Sequence, residues 1–132
     1  MERFTVQTSV QQQMFDVTRE VQDAVTRCGV ADGVCMAFVP HTTAGITINE
    51  NADPSVKTDV RDELRKIVPL EDGYRHMEGN SAAHIKASMM GSSCLVAVEN
   101  GRLVLGTWQG IWFCEFDGPR TRQVWVKAVG GS

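Results

Sequence analysis

The chain has no apolar run long enough to span a membrane and no apolar leader at Met1-Glu2-Arg3-Phe4-Thr5. A membrane protein is therefore not expected, and the expected location is cytoplasmic. Positive charge is not in excess either: 13 Lys and Arg stand against 16 Asp and Glu, a net charge of −3. A general nucleic-acid binder needs a basic surface, so nucleic acid is not an expected partner. The four cysteines, Cys28, Cys35, Cys94 and Cys114, form no C-x-x-C pair and each lies in an apolar run. They read as buried reduced thiols, not as a disulfide frame or a zinc knuckle. Linkers, low-complexity stretches and internal repeats are missing. Histidine is scarce, at three residues in 132.

A length of 132 residues suits one domain, residues 1–132, with a core of ordinary size. Hydrophobic residues make up 42% and charged residues 22%, an ordinary globular balance that argues against disorder. Arg3 to Ser9 alternate, with Phe4, Val6 and Thr8 on one face, and predict a strand. Val17, Val21, Ala24, Val25 and Cys28 form one helical stripe, which Asp16 or Thr18 can cap and Gly29 can close. Val34 to Val39 is nearly continuous in apolar character and predicts a strand buried on both faces, ended by Pro40. Ile46 and Ile48 point one way and Thr47 and Asn49 the other, as in a strand. Asp53-Pro54 predicts a helix start, with Val56, Val60, Leu64, Ile67 and Val68 on its apolar side and Pro69 as its stop. A short helix is predicted from Asn80 or Ser81 to Met90, ended by Gly91. Ser93–Val98, Arg102–Trp108, Ile111–Phe116 and Arg122–Val129 then read as four strands in tandem hairpins. Asn100-Gly101 is the strongest turn signal and Gly118-Pro119 marks another. Two longer helices and one short helix against a mostly antiparallel sheet predict an α+β domain.

The polar residues gather in two runs. One is Pro40 to Pro54, with His41, Thr42, Thr43, Asn49, Glu50 and Asn51; the other is His76 to Ser88, with Glu78, Asn80, Ser81, His84 and Lys86. Together they hold all three histidines, which predicts two walls of one site. Three imidazoles and a water would make an open catalytic metal centre, so His41, His76 and His84 are the candidate metal ligands. Their spacing matches no standard local motif, and for any single histidine a capping or core hydrogen bond is the simpler role; it is the clustering that favours a shared site. Glu50, Asp53 and Glu78 are candidates for acid–base work, with capping the better role for Asp53. Lys86, Arg120 and Arg122 are candidates for an anionic substrate, and Thr42, Thr43 and Ser88 for hydroxyl donors. Asn51, Asn80 and Gln109 are candidate amide contacts. Lone charged residues are more often simply solvated. Gly106-Thr107-Trp108-Gln109-Gly110-Ile111 sets a Trp-Gln pair between two glycines, as a ligand loop or as a packed hairpin.

These motifs, taken in order, resemble the YjbQ family, described as secondary thiamine-phosphate synthases. The resemblance rests on His41-Thr42-Thr43, Asn49-Glu50-Asn51-Ala52-Asp53-Pro54, His76-x-Glu78-Gly79, His84-Ile85-Lys86-x-Ser88, Gly91-x-Ser93 and Gly106 to Ile111. Glu115 also falls where the family has an acidic residue. It implies an α+β homotrimer with sites near subunit boundaries, and a divalent metal, zinc before magnesium. It implies an enzyme acting on a small phosphorylated metabolite, joining hydroxymethylpyrimidine diphosphate to thiazole phosphate with release of pyrophosphate. In that role Glu50, Glu78 and Lys86 would be catalytic. A metal- or metabolite-binding trimer without turnover is the alternative.

Overall fold

The computed structural model describes residues 1–130. The elements are β1 (Glu2–Gln7), β2 (Gln13–Asp16), α1 (Thr18–Cys28), β3 (Gly33–Phe38), β4 (Ala44–Glu50), α2 (Pro54–Ile67), α3 (Ser81–Met90), β5 (Ser93–Glu99), β6 (Arg102–Leu103), β7 (Gln109–Glu115) and β8 (Thr121–Gly130). They form an α+β domain. One sheet has the order β1-β8-β3-β5-β6 and a second has β2-β7-β4, with every pairing antiparallel. Among the described residues no helix is long and apolar enough to cross a membrane.

The helix termini follow their local chemistry. The Asp53 carboxylate accepts the Ser55 N–H at 2.9 Å and Pro54 takes the first turn, so α2 starts where the sequence places it. Asp16 accepts the Thr18 N–H at 2.8 Å at the head of α1, and Gly29 closes that helix with φ +71°. Asn100 and Gly101 both take positive φ and fold β5 onto β6 as a tight hairpin.

α1 buries Val21, Ala24 and Val25 against the inner faces of both sheets, meeting Cys35, Ala37, Ile46, Ile111, Phe113, Val124 and Val126. A second core lies on the other side of the three-stranded sheet. There Trp112, Cys114 and Phe116 pack on Leu64 of α2 and on Ala83 and Ala87 of α3. β7 is thus the strand sandwiched between two cores, with every residue from Gly110 to Glu115 buried. This corrects the expectation for β3, which buries Cys35 and Ala37 but leaves Val34 exposed on its other face. A continuous apolar run is compatible with either arrangement.

Four further differences separate the observed elements from the expected ones. β2 was not foreseen, because four residues opening on a run of glutamines carry little periodicity; its pairing with β7 holds it in place. The predicted Arg102–Trp108 strand is only two residues long, since Gly106 turns the chain and the Gln109 side chain accepts the Gly106 N–H at 2.8 Å. The last third is not a simple meander: β5, β6 and β8 lie in one sheet and β7 in the other. Ile67, expected on the apolar side of α2, is exposed at the end of that helix.

Candidate functional site

β3 runs out at Phe38, and Val39 and Pro40 carry the chain to His41 at the corner before β4. The C-terminal end of α3 packs on the start of β4: the Ile46 N–H donates to the Gly91 carbonyl at 3.1 Å. That approach needs Gly45, because a Cβ there would stand 2.8 Å from the Gly91 oxygen. The result is a cavity of about 340 Å³ with His41, Thr42 and Ala44 on one side and His84, Ala87 and Ser88 on the other, closed by Gly91 and Ser92. His84, Ala87 and Ser88 fall at the i, i+3, i+4 spacing that places side chains on one helix face.

His41 is held by the neighbouring sheet. Its Nε2 accepts the backbone N–H of Gln123 at 2.9 Å, so the neutral ring carries its proton on Nδ1. Burial pushes its pKa below the ordinary value; the Arg122 and Arg120 charges push the same way, against Glu115. Behind it lies a closed polar network. Arg122 donates through Nε and Nη2 to the two oxygens of Glu115 and through Nη2 to the Thr43 hydroxyl at 2.8 Å. The Thr8 hydroxyl and the Asp117 N–H complete the set on Glu115, at 2.8 and 3.0 Å. Burial alone would raise the Glu115 pKa; the hydrogen bonds from Arg122, Asp117 and Thr8 and the Arg122 charge more than reverse it, holding the carboxyl below its usual range. Thr8 was not singled out in the sequence, because its contact with Glu115 spans 107 positions and leaves no local signal. Ser92 was also missed, although its place just after the helix-ending Gly91 was a signal for it.

The other candidates are spread more widely. His76 stands edge-on to His84, ring centroids 5.2 Å apart, in an adjoining cavity with Tyr74, Arg75, Ser81 and Ile85. Glu78 lies exposed in that loop, 3.8 Å from His76 Nε2. Asn80 donates to Asp117 at 2.9 Å and Arg120 donates to the same carboxylate at 2.8 Å, so both are anchored; the buried Oδ1 of Asn80 has no hydrogen-bond partner among the described residues. The Ser88 hydroxyl donates back to the His84 carbonyl at 2.9 Å. Lys86 sits on the opposite face of α3, buried, donating to Gln12 Oε1 at 3.2 Å. Burial, then the Arg65 charge, holds its ammonium pKa below the usual lysine value. Glu50, Asn51 and Gln109 gather at the far end of β4, where Glu50 pairs with Gln109. At about 3.4 Å per residue, the seven residues of β4 separate them from the histidine pocket by roughly 20 Å. The two polar runs therefore meet at His41, Thr42, His84 and Ser88, and part at Glu50 and Asn51.

The sequence model of the family described as UPF0047 protein YjbQ-like matches residues 2–131. The chain belongs to this family. It is 54% identical over 126 residues to UPF0047 protein YugU of Bacillus subtilis, covering 95% of this chain and 96% of that protein. UPF0047 protein MJ1081 of Methanocaldococcus jannaschii is 47% identical over 128 residues, covering 97% and 93%. The crystal structure of a YjbQ/UPF0047 family protein from Clostridium acetobutylicum superposes with a TM-score of 0.95 at 55% identity, over 98% of this chain and 100% of that one. The same fold appears in a conserved hypothetical protein from Thermus thermophilus, with a TM-score of 0.91 at 41% identity over 98% and 100%. These matches run nearly the whole length of the chain, so they span both the histidine pocket and the far end of β4.

Proposed function

We propose that the cavity between His41 and His84 is the active centre of an enzyme acting on small phosphorylated metabolites. The observation that carries this reading is the state of His41: a neutral imidazole, tautomer set by the Gln123 N–H, backed by a buried guanidinium and facing His84 and three hydroxyl side chains. Such a ring donates a hydrogen bond to a phosphate oxygen, and His84 on the opposite wall is placed to move a proton. The reaction favoured is the one the YjbQ resemblance implies, thiamine phosphate synthase-like transfer with release of pyrophosphate. The hydroxyls of Thr42 and Ser92 suit its phosphate end.

The divalent metal implied by that resemblance does not fit this chain's three histidines as a set. Among the described residues no three His, Cys, Asp or Glu side chains gather as a ligand group, and the Nε2 lone pair of His41 is engaged by Gln123. Elemental analysis of wild type and of His41→Ala is expected to give the same metal content. Near-stoichiometric metal lost in His41→Ala, His76→Ala and His84→Ala alike would restore the three-histidine centre.

Pyrophosphate release from the two phosphorylated heterocycles tests the catalytic reading. His84→Ala is expected to keep its fold by circular dichroism and to lose about 10²–10⁴-fold in rate, the usual contribution of a general acid or base. Full activity in a folded His84→Ala would sink the proposed centre. A binding module without turnover is the second reading, favoured by the absence of carboxylates from the cavity wall among the described residues: Glu50 and Glu78 lie elsewhere. Incubation with a metabolite pool separates the two, since an enzyme consumes a compound and a binder returns it unchanged.

The outer face of the larger sheet supports the homotrimer. Val34, Leu95 and Val129 are 46%, 69% and 60% exposed on adjacent strands, beside the Phe38–Trp125 aromatic pair. An apolar face of this kind fits contact with further copies of the chain.

A further inference from the structure

A second cavity, about 410 Å³, opens at the far end of β4, away from the histidines. Its wall includes Asp16 and Arg19 at the head of α1, Asn51 after β4, Arg102 of β6 and Gln109 of β7. Arginine pairing in this chain makes the cavity unusual. Arg27, Arg61, Arg65, Arg120 and Arg122 each meet a carboxylate, and Arg3 lies over the Trp125 ring. Of the three that remain, Arg19, Arg75 and Arg102, two line this one concavity with no carboxylate within 4.0 Å among the described residues.

The amides at its base are held by the fold. Gln109 Oε1 accepts the Gly106 N–H at 2.8 Å, which commits its oxygen and leaves its NH₂ as the donor for a ligand. Asn51 Oδ1 accepts from the Lys57 ammonium, and the Asn51 backbone N–H donates to the Trp108 carbonyl at 2.8 Å. The Asn51 side chain lies where a Cβ on Gly110 would fall, 2.6 Å from its own Cβ. The two glycines of the Gly106–Gly110 stretch thus make room for the two amides. Asp16, the carboxylate in the wall, is occupied by the N–H and hydroxyl of Thr18.

We infer that this cavity is an anion site for a small phosphorylated metabolite, separate from the histidine pocket, with Arg19 and Arg102 on the phosphate and the Gln109 amide donating beside them. Two guanidinium forks match a phosphate dianion better than a single carboxylate. The cavity is within the size range of small-molecule sites.

The test is an NMR titration of the full-length ¹⁵N-labelled protein with inorganic phosphate, at constant ionic strength set with chloride. Phosphate is expected to shift the amides of Leu103, Gly106, Gln109 and Gly110. In the Arg19→Gln/Arg102→Gln double variant, that response should weaken at least tenfold, while any response at Thr42, Gly91 and Ser92 stays as in wild type. Both arginines are exposed, so the double variant should fold normally, as the unchanged dispersion of its spectrum would verify. Chloride or acetate producing the same shifts as phosphate would overturn the assignment. So would an undiminished response in the double variant. A double variant that changes sedimentation but not phosphate affinity would show that the arginines serve a subunit contact, and the inference would fall.

Discussion

At the scale of single residues, the decisive group is Glu115, which has no solvent exposure and whose oxygens accept from Thr8, Asp117 and Arg122. Removing one member of a buried ion pair strands the other charge, so Glu115→Ala should lose about 3–5 kcal/mol in urea unfolding. The pH dependence has a definite sign. The folded carboxyl holds its proton less tightly than the ordinary value of 4.5, so its contribution is full above that pH and fades as the pH falls through the folded value. The stability gap between wild type and Glu115→Ala should therefore be wide at pH 7 and shrink as the pH falls below 4.5 toward the lower folded value. A gap independent of pH would mean that Glu115 contributes volume and not charge. His41 depends on the same network, because Gln123, whose N–H fixes its tautomer, directly follows Arg122. ¹⁵N NMR of the imidazole should find the proton on Nδ1.

At the scale of elements, the site depends on how closely α3 lies on β4. Gly45→Ala places a methyl group 2.8 Å from the Gly91 oxygen and 3.1 Å from Met90 Cβ. The backbone there cannot give way as a flexible side chain would, so a cost of about 1–3 kcal/mol is expected. The Ile46–Gly91 hydrogen bond should lengthen and His84 should move away from His41. Catalysis should fall further than stability; an unchanged rate with the full stability cost would mean that the spacing of the two histidines is not used. The helices were legible because their caps are local: Asp53-Pro54, Gly29 and Gly91 sit where the chain starts and stops each turn. So was the face of α3 that shares His84 with Ser88. β2 and the curtailed β6 were not legible, because pairing with β7 decides one and the Gln109–Gly106 bond decides the other. The split of the polar residues into two sites was hidden for a related reason. Glu50 and Asn51 follow His41 closely in sequence, but an extended strand carries them to the other end of the sheet, whereas a helix would have folded them back.

At the scale of the whole molecule, the apolar outer face of the five-stranded sheet is uncovered among the described residues. Sedimentation of wild type is expected to show three copies of the 14.5 kDa chain. Leu95→Glu, at the most exposed point of that face, should shift the distribution toward monomer without unfolding it. A wild-type monomer at micromolar concentration would remove the trimer. A last consequence follows from the burial of β7 between two cores. Cys114 sits in that strand with no solvent exposure, and burial pushes its thiol up to about 12, so almost none of it is thiolate near neutral pH. An alkylating reagent reaches it only when the layers separate. The chain carries its own clock: the rate at which Cys114 takes up label counts the openings of the two-sided core.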